Sequence, residues 1–87
     1  LAAGLVSKLV VPGTACDEAM ALAQVLAAKP PVALRMAKQA VLAAYETSLA
    51  AGTVMERQAV CRAFETEDRI EGMTAFKEKR DPVFKGR

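Results

Sequence analysis

Histidine and tryptophan are both missing from the 87 residues, and only three Phe and one Tyr supply aromatic rings. Without histidine, imidazole-based acid, base and nucleophile mechanisms are excluded from this stretch, as are the mixed His/Cys ligand sets of ordinary zinc sites. The two cysteines, Cys16 and Cys61, stand far apart with no ligand spacing, and such thiols read as small buried hydrophobes in a reducing compartment. No glycine-rich phosphate loop, nucleophile elbow or backbone donor pair for an oxyanion is visible. The carboxylates Glu46, Glu56, Glu65, Glu67, Asp68 and Glu71 fall on polar helix faces or in a first helical turn, where they read as solvated charges. No catalytic residue, metal ligand or bound cofactor is therefore assigned here.

Charge of one sign is also scarce overall. A net +2 is too little to neutralise an extended run of phosphates, which excludes nucleic acid as a partner. No apolar run spans a bilayer, since the opening Leu1 to Val11 segment is short and interrupted by Lys8. The expectation is a soluble protein with no membrane partner and no leader visible in the stretch. What charge there is gathers at one end. Lys77, Lys79, Arg80, Lys85 and Arg87 against Glu78 and Asp81 give +3 after Phe76, leaving the rest of the chain at −1. A local +3 suits one small phosphorylated ligand.

The composition is 53% hydrophobic and contains eighteen alanines. A chain this short buries only about 60% of its unfolded surface, so part of this apolar content should pack against something outside the quoted residues.

The pattern predicts a mainly α chain: one short N-terminal strand, then three to four helices. Residues 4–12 alternate Leu5, Ser7, Leu9 and Val11 against Val6, Lys8 and Val10 and stop at Pro12-Gly13, as a strand does. No second strand follows, so its ladder partner would lie in other sequence. Thr14 with Asp17 resembles a capping box for a helix ending at Pro30-Pro31. From Val32 to Ala51, Leu34, Ala37, Val41, Tyr45 and Leu49 recur at helical spacing, with Gly52 as the stop. A third helix is expected from Thr53 to about Phe64. Thr66 caps a fourth, with Glu67 and Asp68 in its first turn, Lys77, Lys79 and Arg80 in its last, and Gly72 at its centre. Beyond Asp81-Pro82 the tail should be extended.

Phe76 and Lys79, three residues apart, would share a helix face, where a ring can stack on a base and an ammonium can meet a phosphate. The competing reading makes Phe76 a core residue with Ile70 and Met73 and leaves Lys79 solvated.

Three stretches carry a family resemblance: Gly4-Leu-Val-Ser-Lys-Leu-Val-Val-Pro12, Lys29-Pro-Pro-Val-Ala-Leu-Arg-Met-Ala-Lys38, and above all Thr66-Glu-Asp-Arg-Ile-Glu-Gly-Met-Thr-Ala-Phe-Lys-Glu-Lys-Arg80 with Pro82 and Phe84 behind it. Together they resemble the C-terminal third of a crotonase-superfamily protein, the enoyl-CoA hydratases and isomerases. The resemblance implies an α/β spiral of ββα turns. Residues 1–13 would end that spiral core, and 14–87 would form a C-terminal helical region for trimerisation and CoA contact, the trimers often pairing into hexamers. It implies a lyase that adds water to 2-enoyl-CoA thioesters in fatty-acid or related acyl-CoA metabolism, with its catalytic glutamates and oxyanion hole upstream and the fragment alone inactive.

CoA thioester enters that scheme as substrate, with no separate cofactor. The implied location is cytoplasmic, or mitochondrial if a leader precedes Leu1. Carried over by position, Phe76 and Lys79 would approach the CoA adenosine and its 3′-phosphate, while Val60 and Phe64 would line the acyl pocket. The alternatives are another chemistry of the family, such as isomerase or thioester hydrolase, and a non-catalytic helical module for oligomerisation or CoA binding.

Overall fold

A computed structural model of the chain describes residues 1–87 and contains four helices: α1 (Ala15–Ala27), α2 (Pro31–Ala43), α3 (Leu49–Phe64) and α4 (Glu67–Glu78). The strand expected over residues 4–12 does not form. Gly4 N–H closes a turn on the Leu1 carbonyl, and the segment runs on as bends and irregular chain. The physical reason is the one its isolation implies: an alternating segment becomes a strand only when a second one takes up its backbone groups, and these residues hold no second.

Helix boundaries follow capping chemistry. Pro31 occupies the first position of α2, where its missing N–H is harmless and its fixed φ suits the helix. Thr14 precedes α1 but forms no capping box: its backbone, φ −100 and ψ 5, is outside the extended region that aims a cap hydroxyl at the first turn, and its hydroxyl donates to the Val11 carbonyl at 2.8 Å. The single helix expected from Val32 to Ala51 is in fact two. Thr47 Oγ1 donates to the Ala43 carbonyl at 2.8 Å, occupying an end group of α2, and Ser48 Oγ accepts the Ala51 N–H at 3.2 Å, starting α3. Gly52 thus lies in the first turn of α3 and does not close α2. Tyr45, assigned to the apolar stripe of that longer helix, falls in the connection and is exposed.

Helices α2 and α3 make the one substantial helix–helix contact. Their facing sides are small: Ala33, Met36 and Ala40 meet Ala59 and Ala63, all half-buried. Elsewhere the fold is open. Its radius of gyration is 16.3 Å, against about 12 Å for a compact domain of this length. Its accessible surface is 7480 Å², against roughly 4,900 Å² for a folded monomer of this mass. Only Ala75 and Asp68 are fully buried, so the chain has secondary structure without a hydrophobic core of its own. Both cysteines, expected in a core, are exposed.

Candidate functional site

Helix α4 and the tail behind it hold most of the side-chain hydrogen bonds of the chain. Thr66 Oγ1 accepts the Arg69 N–H at 3.2 Å and opens the helix as its sequence predicts. The face bearing Asp68, Glu71, Gly72 and Ala75, at helical spacing, then receives the returning tail. Asp68 is 2% exposed; its carboxylate accepts the Lys85 N–H at 2.7 Å and the Gly86 N–H at 2.8 Å, and its own N–H donates to the Arg87 carbonyl at 3.1 Å. Gly86 reaches this position with φ +77, a region that β-carbon sterics close to most residues. Phe84 lies over Gly72: a β-carbon at that glycine would stand 3.5 Å from the Phe84 ring, in ordinary contact.

Glu71 locks the corner between helix and tail. Arg80 grips it through two guanidinium nitrogens, at 2.6 and 3.0 Å, and the Val83 N–H donates to it at 2.9 Å. These bonds favour the ionised form and bring the Glu71 carboxyl down from its ordinary 4.5 to about 2, the Arg80 hydrogen bonds being the largest cause. Reciprocally, Glu71 and then Glu78 hold the Arg80 guanidinium above its already high range. Asp68 and Glu71, expected as solvated charges, are thus structural acceptors. The signal that could have found them is the pair of small residues, Gly72 and Ala75, on the same helical face, which mark a side where another segment comes close.

The opposite side of α4 is open. Ile70, Met73 and Phe76 follow one another at three-residue intervals and all are exposed, Phe76 at 87%. Phe76 is therefore not a core residue within this chain. Helix α4 ends at Glu78, and Lys79 follows in the left-handed conformation, φ 55 and ψ 42. The Lys79 N–H donates to the Phe76 carbonyl and the Arg80 N–H to the Ala75 carbonyl, the paired closure of a Schellman motif. Lys79 and Phe76 are thus neighbours across a helix end rather than along a helix face. Lys79 has no ion-pair partner.

On α3, Val60 sits in the groove between α2 and α3, a space of about 370 Å³ walled almost wholly by alanine, valine and methionine. Phe64, one turn later, lies under the Arg69 guanidinium, whose central carbon is 5.7 Å from the ring centroid, and the same guanidinium reaches the Met73 sulfur at 3.6 Å. The four sequence-predicted residues therefore occupy three places: Val60 in the α2–α3 groove, Phe64 under Arg69 at the start of α4, and Phe76 with Lys79 at the far end of α4. Phe64 is the one tied to α4, through Arg69. No group of three or more acidic or cysteine side chains is placed to hold a metal ion, and no helix is long and apolar enough to cross a membrane.

A family model described as enoyl-CoA hydratase/isomerase matches residues 1–87, the whole chain. The chain belongs to the enoyl-CoA hydratase/isomerase family. Among its relatives, the 2,3-dehydroadipyl-CoA hydratase of Escherichia coli K12 is 45% identical over 85 residues, which cover 98% of this chain and 33% of that protein. The mitochondrial enoyl-CoA hydratase of Pongo abelii is 45% identical over 83 residues, 95% of this chain and 29% of that one. A crystal structure of enoyl-CoA hydratase from Bacillus anthracis superposes with a TM-score of 0.91 at 39% identity, covering 97% of this chain and 33% of that structure. The chain thus spans about a third of the length of the relatives it matches. The helical arrangement, open as it is, is the one this part of the family adopts.

Proposed function

We infer that these residues are the C-terminal third of an enoyl-CoA hydratase, which adds water across the double bond of a 2-enoyl-CoA thioester. The carrying observation is the match of all 87 residues to the family, together with relatives named as hydratases at 45% identity. The openness of the fold supports it: the exposed apolar sides of α1, α3 and α4 fit helices that rest on a larger body, the catalytic spiral core and neighbouring subunits of a trimer or hexamer. That openness disfavours a self-standing helical module. In this scheme the glutamates and the oxyanion donors belong to the core, and the present residues bind and position substrate.

Phe76 is the stacking surface for the CoA adenosine, and Lys79 meets its 3′-phosphate. An exposed ring, and three residues on an ammonium with no carboxylate partner, support the pairing. Val60, and through it the α2–α3 groove, sets how much acyl chain is accepted, with Phe64 beyond it. The test uses the full-length protein and crotonyl-CoA. Hydration is expected, with Lys79→Ala raising KM about 10-fold while kcat stays within about 2-fold, because one charge-assisted contact far from the reacting carbons is lost. An unchanged KM at both low and high salt would remove Lys79 from the site. Conversion of a 3-enoyl to a 2-enoyl thioester without hydration would replace the hydratase by an isomerase.

A further inference from the structure

Between α2, the end of α3 and the start of α4 lies a polar cleft of about 460 Å³, remote in character from the apolar groove holding Val60. Its walls carry three arginines, Arg35 from α2, Arg62 from the last turn of α3 and Arg87 from the tail, with Gln39 as a neutral hydrogen-bonding group; Thr66 also lines it, but its hydroxyl is taken up by the Ala63 carbonyl and the α4 cap. One carboxylate, Glu65, shares the lining, which leaves the walls at net +2.

Arg87 is partly engaged, its Nε donating to Glu67 at 3.1 Å, but Arg35 and Arg62 form no ion pair at all. Arg57 and Arg69 are likewise without carboxylate partners, so what sets Arg35 and Arg62 apart is that both line the same cleft. Two guanidinium forks that line one cleft without carboxylates of their own suit the planar, multiply accepting edge of a phosphate or carboxylate. With Glu67 on Arg87 counted, the cleft and its rim remain positive, so an anion is favoured, and a neutral ligand would leave two forks without charged acceptors.

We propose that the Arg35, Arg62 and Arg87 cleft is a binding site for a small phosphate anion, separate from the place where Phe76 and Lys79 lie. Arg35 and Arg62 supply the main contacts, Gln39 donates through its amide, and Arg87 joins from the tail that Asp68 holds in place. The site ties α2, α3 and the tail together, so occupancy stabilises the helical region as a unit, through preferential binding to the folded state.

The probe is inorganic phosphate, added to the full-length protein at constant ionic strength, with melting temperature and isothermal titration as readouts. Saturable binding in the millimolar range with a rise in Tm is expected. Arg35→Gln and Arg62→Gln, each an exposed position, should weaken phosphate about 10-fold apiece, the loss of one charge-assisted contact. Lys79→Ala should leave phosphate binding unchanged, and Arg57→Gln on α3 serves as a charge control. The proposal fails if phosphate shows no saturable effect, or if Arg57→Gln weakens it as much as the cleft variants do. It fails equally if Arg35→Gln and Arg62→Gln lower the Tm without phosphate and leave its affinity intact, since carboxylates from elsewhere in the assembly would then be the arginines' partners.

Discussion

The two ends of this chain are held by opposite means. Residues 1–28 present Leu5, Leu9, Met20, Leu22, Val25 and Leu26 to the outside, and the one side-chain tie between the arm and α1 is the surface pair Lys8 and Glu18. Residues 66–87 also expose apolar side chains, yet their backbone is fastened by carboxylates that receive N–H groups of the tail. The difference teaches where each end finds its stability. A hydrogen bond is directional and can be completed by 22 residues on their own, whereas apolar burial needs a volume of surrounding atoms that this stretch does not possess.

The largest effect should come from removing that distinction. Asp68→Ala in the full-length protein removes a buried carboxylate that accepts two part-buried N–H groups, of Lys85 and Gly86, at a cost of about 2 kcal/mol. Chemical denaturation measures the loss, and hydrogen exchange should show the tail amides becoming as unprotected as those of the N-terminal arm. If exchange at Lys85 and Gly86 stays slow, Asp68 is not what fastens the tail.

Acid tests the second fastening. Because the Glu71 carboxyl lies at about 2 when folded and near 4.5 ordinarily, its contribution is complete above pH 4.5, declines as pH falls below that, and is gone below about 2. The Val83 amide should therefore stay protected at pH 4 and lose protection toward pH 2, and in Glu71→Gln it should be exposed throughout. Loss of protection already at pH 5 would contradict the Glu71 assignment.

Gly72→Ala sharpens the contrast in the other direction. The added methyl meets the Phe84 ring at ordinary contact distance and gains helix propensity, so α4 should be stabilised by up to about 1 kcal/mol, read as a higher Tm. A loss of stability would mean that Phe84 sits closer in solution. The smallest effect belongs to the weakly tied end: Lys8→Ala should change stability by less than about 0.5 kcal/mol, as exposed pairs do.

These contrasts also explain what could be foreseen. Helices α1 and α4 were legible because their signals are local: Pro30-Pro31 ends the first region, and Thr66 followed by two acids starts the last. The division between α2 and α3 was hidden because the apolar spacing runs through Tyr45 and Leu49 unbroken, while the decisive groups are two small hydroxyls, Thr47 and Ser48, acting on backbone. The strand failed for want of a partner, a non-local requirement. Asp68 and Glu71 looked solvated because their donors arrive 12 to 18 residues later, from a tail whose return no periodicity announces. Phe76 lies on the helix expected for it, but that helix ends at Glu78, so Lys79 falls outside it and the two do not share its face.

That helix end carries a consequence of its own. Left-handed backbone costs a residue with a β-carbon about 1 kcal/mol, and the Schellman closure is normally given to glycine. At this corner the chain has lysine, φ 55, so the fold is less stable than one substitution could make it. Lys79→Gly should then raise the melting temperature and remove the free cation in the same step. At this one position backbone ease and side-chain charge ask for different residues, glycine for the first and lysine for the second.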